Sequence, residues 1–323
     1  MTKKYEKGIS AIIPSYKGEK YILKLLNSLK EQTLNYDLFE AIFIINGERD
    51  NTYEIIKKFK KENPSLNINI ICTKTPGVSN ARNIGIREAK REYSTFIDDD
   101  DFISPKFLEK FYEYAKPNRV VIASFFDIDQ DTGEVKPSYL TPPLLKNSGI
   151  IENPFIELID ILVITTAKLL PTESLTSTDF NTDLNNGVDI SYYSRFYPKH
   201  SFEYYLIDKD EQATYYRLWR DNSISRPKLS YEFNITGRLK VIKDINISLN
   251  NTTDPNMVGF LKVLPTGQVN YMNSYLKEHP EYYNKVLKDI ESYNFDYFPY
   301  ELLKKVKNKN KSIKDKIKSF LKN

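Results

Sequence analysis

A chain of 323 residues with 40% hydrophobic and 28% charged residues is built like a soluble globular protein, large enough to bury a substantial core in one large or two modest domains. No apolar run reaches the length needed to span a bilayer, the polar residues 1–8 predict no leader peptide, and two histidines with one cysteine speak against a His/Cys zinc site. The net charge of +4 is uneven: residues 301–323 carry nine lysines against Glu301 and Asp315, and subtracting this local +7 leaves −3 for the rest.

In chain order, residues 8–14 read as a strand, followed by a helix over 19–34 with Tyr21, Ile22, Leu25, Leu26 and Leu29 on its apolar face. A strand over 41–45 and a helix over 52–61 come next, then a strand over 67–72, a helix over 79–89 and a fourth strand over 93–97. Strands alternating with helices of this length imply right-handed crossovers and a largely parallel central sheet flanked by helices. Cys72 falls among apolar neighbours and is expected to be buried, which fits a reducing, cytoplasmic setting. Ser104 suits an N-cap and Pro105 a first helical position, ahead of Phe107, Leu108, Phe111, Tyr112 and Ala115 at helical spacing. A fifth strand over 120–126 precedes a Pro-, Gly- and Thr-rich stretch, 131–149, expected to wander across the mouth of the sheet. Beyond about Pro227 the pattern becomes helical, as in 270–277 and 281–293. The chain thus divides into an α/β domain over 1–226, a helical extension over 227–300 and a basic tail over 301–323.

The chemistry gathers at strand ends, where open α/β sheets bind ligands. Four consecutive carboxylates, Asp98, Asp99, Asp100 and Asp101, follow the fourth strand. Such charges repel one another unless solvent or a cation neutralises them. Mg²⁺ and Mn²⁺ take one or two carboxylates together with phosphates and water, and a solvated acidic turn is the plainer alternative. Pro14-Ser15-Tyr16 follows the first strand, Asn46-Gly47-Glu48-Arg49-Asp50 the second, and Gly77-Val78-Ser79-Asn80-Ala81-Arg82-Asn83 opens the third helix.

This ordered set, one piece per strand–helix unit over roughly residues 8–225, resembles family 2 glycosyltransferases of the GT-A fold, a Rossmann-like class of α/β protein. The shared features are the Pro-x-Tyr strand end, a G-x-S-x-A-R-N-x-G segment and a D-x-D-D cluster. The resemblance implies a nucleotide-sugar donor, with a UDP-sugar expected, and a divalent cofactor, Mn²⁺ or Mg²⁺. It assigns Asp100 to the metal and Asp98 to the ribose and metal shell, with Asp99 beside them in the donor site. Pro14 and Tyr16 would wall the base and ribose, and Arg82 would place a cation near the diphosphate; the alternative for Arg82 is an arginine simply paired with a nearby carboxylate. The family usually has two acidic residues where this chain has Ile45 and Asn46; Asn46 offers a donor and an acceptor, so the base identity stays open. Lys17 replaces a usual asparagine.

An inverting transferase also needs a base for the acceptor hydroxyl. The segment Phe180 to Asp189, about ninety residues past the acidic cluster, looks like the family's base-bearing stretch, with Lys168-Leu169 before it and a helix over 190–196 after it. Asp189 takes the base position and Val188 stands where glutamate is usual; Asp183 and Asp179 are its rivals. Arg220, in the Tyr/Arg-rich segment 215–226, is assigned to the diphosphate, and Trp219 to the acceptor side or to packing.

On a helix of about 100° per residue, Leu302, Leu303, Val306, Ile313, Ile317, Phe320 and Leu321 share an arc of roughly 100°, with every lysine outside it. That is the pattern of an interfacial helix on anionic lipid, at the inner face of the cell membrane; a last helix docked on the protein, or a frayed end, is the alternative. Nucleic-acid binding is disfavoured because the body is acidic and the tail lacks arginines and interleaved aromatics. The leading reading is a metal-dependent inverting glycosyltransferase acting on a cell-surface glycan, polymer or lipid-linked acceptor. A nucleotidyltransferase would need a richer glycine and lysine loop after the first strand, and a non-catalytic sugar-nucleotide-binding or scaffold subunit is prompted by Asn46 and Val188. Donor sugar, acceptor, linkage and any oligomer are not legible.

Overall fold

The computed structural model of the protein describes residues 4–219 and 229–304. Arg220 and the tail from Lys305 onward lie outside the described residues.

The strands are β1 (Glu6–Ser15), β2 (Phe39–Asn46), β3 (Ile68–Thr73), β4 (Arg91–Phe96), β5 (Phe102–Ile103), β6 (Arg119–Ile122), β7 (Ser124–Asp129), β8 (Val135–Pro137), β9 (Gly149–Ile150), β10 (Lys168–Pro171), β11 (Glu203–Leu206) and β12 (Thr214–Trp219). The first helices are α1 (Ile22–Lys30), α2 (Thr52–Glu62), α3 (Val78–Glu88) and α4 (Phe107–Tyr114). Short helices follow, α5 (Thr141–Lys146), α6 (Pro154–Glu157), α7 (Ile159–Leu162) and α8 (Thr172–Leu175), then α9 (Val188–Phe196). The extension is α10 (Gly237–Leu249), α11 (Pro255–Glu278) and α12 (Tyr283–Ser292).

The main sheet runs β3-β2-β1-β4-β10-β6-β11-β9. β1 pairs in parallel with both β2 and β4, and β11 in parallel with β6, whereas β10 and β9 run against their neighbours. The mostly parallel α/β architecture is therefore as the alternating pattern predicts. β1 from Ile9 onward and β2 are buried and mostly apolar, as strands covered on both faces are, and β4 is buried from Tyr93 to Phe96 although Ser94 and Thr95 are polar. α3 sits directly on this layer: a Cβ at Gly85 would lie 2.3 Å from Cγ2 of Ile12. The order of the strands reverses between β1 and β4, and that crevice is where an open α/β sheet offers a ligand site.

Several expectations are corrected. The fifth strand is two strands, since the chain leaves the main sheet at Ala123 and enters a second sheet, β5-β12-β7-β8. The amide of Ala123 still bonds Ala167 of the main sheet and that of Ser124 already bonds Ala213, so the switch occupies one residue. The 131–149 stretch folds into β8, α5 and the start of β9 instead of wandering. α1 begins at Ile22, after a turn in which Gly18 accepts from the amides of Tyr21 and Ile22. α4 begins at Phe107 with Lys106 as N-cap, because the Ser104 hydroxyl is spent donating to the Gln212 carbonyl and accepting from the Thr214 amide. Cys72 is exposed, on β3, which is an edge strand of the main sheet among the described residues. Leu302 ends a 3-10 turn and Leu303 is buried in the extension's core, so neither belongs to a tail helix.

The extension is not a separate layer. Val241, Ile245, Met257, Phe260, Leu261 and Leu264 join the core of the α/β domain, while Leu239 and Ile242 pack with α11 and α12 in a second core. α10 therefore faces both.

Candidate active site

β1 and β4 end side by side, so Ser15 and Tyr16 stand next to the acidic turn. Pro14 is buried at the end of β1, and the Tyr16 ring is 42% exposed. Gly47 makes room for that ring: a Cβ there would lie 3.1 Å from Tyr16 Cε2 and 3.3 Å from Pro76. Tyr16, Gly47 and Pro76 thus form an aromatic-edged slot at the strand ends. Lys17, with φ of 55°, turns back to an ion pair with Glu48 at 2.6 Å.

Asn46 is 4% exposed, and its amide is already engaged. Nδ2 donates to the Ser15 carbonyl at 2.9 Å, and Oδ1 accepts from the Gly77 amide at 3.1 Å. It ties the end of β1 to the turn that opens α3, so in this conformation its acceptor is not offered to a base.

The four carboxylates point different ways. Asp99 accepts from the Ser15 hydroxyl and lies against Gly18, and burial, together with the charges of Asp100 and Asp98, pushes it up to about 7. Asp101 is 3% exposed; it accepts from the Tyr215 hydroxyl at 2.6 Å and from the Leu218 amide at 2.8 Å. Burial and its acidic neighbours hold Asp101 well above the usual carboxylate range. The same Tyr215 hydroxyl accepts from the Asp98 amide at 3.1 Å, fastening the turn to the second sheet. Asp98, Asp99 and Asp100 are partly exposed, whereas Asp101 is buried. Asp98 keeps 40% of its side chain accessible but is ringed by protein; burial pushes it up to about 6, against the pull of Arg82.

Arg82 is 5% exposed on the first turns of α3 and joins two distant parts of the site. Nη1 donates to Asp189 Oδ1 at 2.7 Å and Nη2 lies 3.4 Å from Asp98 Oδ1. Burial opposes its charge, and the two carboxylates outweigh that and hold the guanidinium protonated. The geometry shows these carboxylate pairs, and a buried guanidinium at the acidic turn is compatible with the diphosphate-side role as well. Its neighbour Asn83 fixes the 180s segment by bonding both the carbonyl and the amide of Phe180, at 2.9 and 2.8 Å. Asp189, on the first turn of α9, is 31% exposed and so reachable from the crevice. Asp183 and Asp179 are both exposed, and the carboxylates that Arg82 engages are those of Asp189 and Asp98.

Lys168 is fully buried and donates to the carbonyls of Ile161, Leu162 and Ile164 beneath the Tyr193 ring, an anchor whose burial holds its ammonium well below the usual range. Trp219 ends β12 opposite Asp129 in β7. Tyr215 and the inward turn of Asp101 carry no local sequence signal, since both depend on a partner more than a hundred residues away.

The sequence pattern of glycosyl transferase family 2 matches residues 10–175, just over half of the chain. The protein belongs to this family. Among relatives, the poly(ribitol-phosphate) beta-N-acetylglucosaminyltransferase TarS of Staphylococcus aureus is 33% identical over 100 residues, 31% of this chain and 17% of TarS. The chain spans less than half the length of the curated relatives it matches here, TarS and the glycosyltransferase GlyG of Streptococcus pneumoniae, the latter 30% identical over 39% of this chain and 41% of its own. The crystal structure of TarS 1–349 in complex with UDP-GlcNAc superposes with a TM-score of 0.65 at 20% identity, covering 88% of this chain and 81% of that one. That likeness establishes the shared GT-A fold.

Proposed function

We propose that this family 2 member transfers a sugar from a UDP-sugar to an acceptor hydroxyl with inversion, using Asp189 as the base. The observation that carries the reading is the Arg82 bridge, which brings Asp189 beside Asp98 at the β1/β4 crevice although 107 residues separate Arg82 from Asp189. A base must reach the attacking hydroxyl on the face of the sugar opposite the departing diphosphate. On this reading Asp98 and Asp100 attend the diphosphate and Asp189 attends the attacking hydroxyl. Tyr16 offers its ring to the base, and Pro14 shapes the wall behind it. Asp99 supports the loop at Ser15, and Arg220 is the candidate for a further diphosphate contact.

Among the described residues no group of three or more His, Cys, Asp or Glu is arranged to hold a metal. Asp100, with Asp98 in the outer shell, leaves most of a coordination sphere to diphosphate oxygens and water, a donor set that suits Mn²⁺ or Mg²⁺. When bound, the ion supplies positive charge to the departing nucleoside diphosphate. Calorimetric titration with UDP is expected to show binding with Mn²⁺ at least tenfold tighter than in EDTA. Equal affinity in both would remove the metal from the reading, and no UDP binding at all would remove the donor.

For the acceptor we propose a hydroxyl on a cell-surface glycan, polymer or lipid-linked intermediate, a class that includes the poly(ribitol-phosphate) in the name of TarS. No helix among the described residues is long and apolar enough to cross a membrane. The tail's lysines, with Ile313, Ile317, Phe320 and Leu321, support contact with an anionic membrane surface from the cytoplasmic side. Cosedimentation with anionic liposomes is expected for the whole chain and not for a chain ending at Lys304; equal behaviour of the two would discard the contact.

A further inference from the structure

We propose that the helical extension sets the aim of Asp189, with Asn186, Gly237 and Asp244 as positioning residues. The inference rests on the reading of Asp189 as base and adds what holds it.

The turn before α9 decides where that helix starts, and Asp189 is its second residue. Gly187 takes φ of 60°, a left-handed conformation that glycine adopts at no steric cost. The turn is pressed against α10: a Cβ at Gly187 would lie 2.7 Å from Val241 Cγ2. Asn186 fills the other half of the contact. Its Nδ2 donates to the Phe233 carbonyl at 3.0 Å, and a Cβ at Gly237 would lie 2.4 Å from that same Nδ2 and 3.0 Å from Cγ. Phe233 sits in a π-helical turn, Glu232–Thr236, that leads directly into α10. Such wide turns present carbonyls off the ordinary helical ladder.

The second hold is Asp244, one face further along α10. Its Oδ2 accepts from Asn181 Nδ2 at 3.0 Å and from the Ser191 hydroxyl, and Arg195 Nε stands 3.7 Å away. These partners bracket Asp189 on both sides in sequence. Arg238 stiffens the platform: it is 4% exposed, with its guanidinium 3.8 Å from the Tyr271 ring centre, 4.6 Å from that of Phe233, and Nη1 3.3 Å from Gln268 Oε1. Across the segment, Asn83 and Arg82 of α3 make the opposing hold. Residues 180–195 are therefore clamped between a helix of the donor-binding half and a helix of the extension, and moving either jaw moves the base. A displacement of about 1 Å at a catalytic group is enough to cost roughly a hundredfold in rate.

The test compares full-length protein with Asn186→Ala, Gly237→Ala, their double variant and Asp189→Asn. UDP affinity with Mn²⁺ is measured by calorimetry, UDP release from UDP-GlcNAc is followed kinetically, and amide exchange is read at Ser191, whose N–H bonds the Gly187 carbonyl. For the Asn186 and Gly237 variants, UDP affinity and KM within about twofold of the parent, kcat lowered about ten- to hundredfold and faster exchange at Ser191 are expected. The two substitutions act on one contact, so the double variant is expected to be no slower than the slower single variant. Asn186→Ala introduces no clash and covers the case in which Gly237→Ala does not fold. Unchanged kcat and exchange in Asn186→Ala, or UDP affinity falling in step with kcat, overturns the positioning role. Parent-like turnover by Asp189→Asn instead overturns the base on which it rests.

Discussion

Asp189→Asn is expected to bind UDP with Mn²⁺ within about twofold of the parent and to transfer sugar about 10²- to 10⁴-fold more slowly, the usual contribution of a positioned general base. The substitution is a clean probe because the amide keeps an oxygen for Arg82 Nη1, now 2.7 Å from the carboxylate, so the bridge to Asp98 survives. What is lost is the ability to take a proton. Rates with an acceptor, together with UDP affinity, separate the two effects; transfer at the parental rate would assign the proton to another group.

Arg82→Met is expected to lower both stability and activity. Methionine fills much of the volume but leaves Asp98 and Asp189 facing each other without their cation. Breaking a buried ion pair from one side costs about 3–5 kcal/mol. The lower end applies here because the carboxylate side chains are 40% and 31% exposed, although the arginine side chain itself is 6% exposed. A loss of several degrees in melting temperature is expected, with transfer falling at least a hundredfold. Arg82→Lys is expected to recover part of the stability and little of the activity, since one ammonium cannot span both carboxylates as the planar fork does. A melting temperature for Arg82→Met equal to that of the parent would show that the bridge does not hold the site.

The first four strand–helix units were readable because β1 and β2 hold apolar runs, Tyr93 to Ile97 sets strand-forming residues just before the acidic turn, and α1 to α3 carry helical spacing, all local properties of the chain. The motif residues around Arg82 and the acidic turn were readable for the same reason: each lies at a strand end or helix start that the local pattern marks. What resisted reading was partnership. Ser104 has the chemistry of an N-cap, yet its hydroxyl is claimed by Gln212 and Thr214. Asn46 has the chemistry of a ligand contact, yet Ser15 and Gly77 claim both ends of its amide. Four adjacent aspartates look equivalent in a sequence, and it is Tyr215 and the Leu218 amide, arriving with β12, that turn Asp101 inward while Ser15 engages Asp99. The break at Ala123 was invisible because both halves of that run are equally apolar.

The 107-residue reach of the Arg82–Asp189 pair also orders events during synthesis. A ribosome releases β1 to β4, and with them the nucleotide-facing wall, long before α9 exists, and α10 follows later still. A chain that ends at Leu175, where the family pattern ends, includes Asp98 as a partner for Arg82 but lacks Asp189, the base proposed above. On the proposed role of Asp189, the donor-side carboxylates are synthesised first and the transfer step waits for the 180s segment and for α10, which holds it.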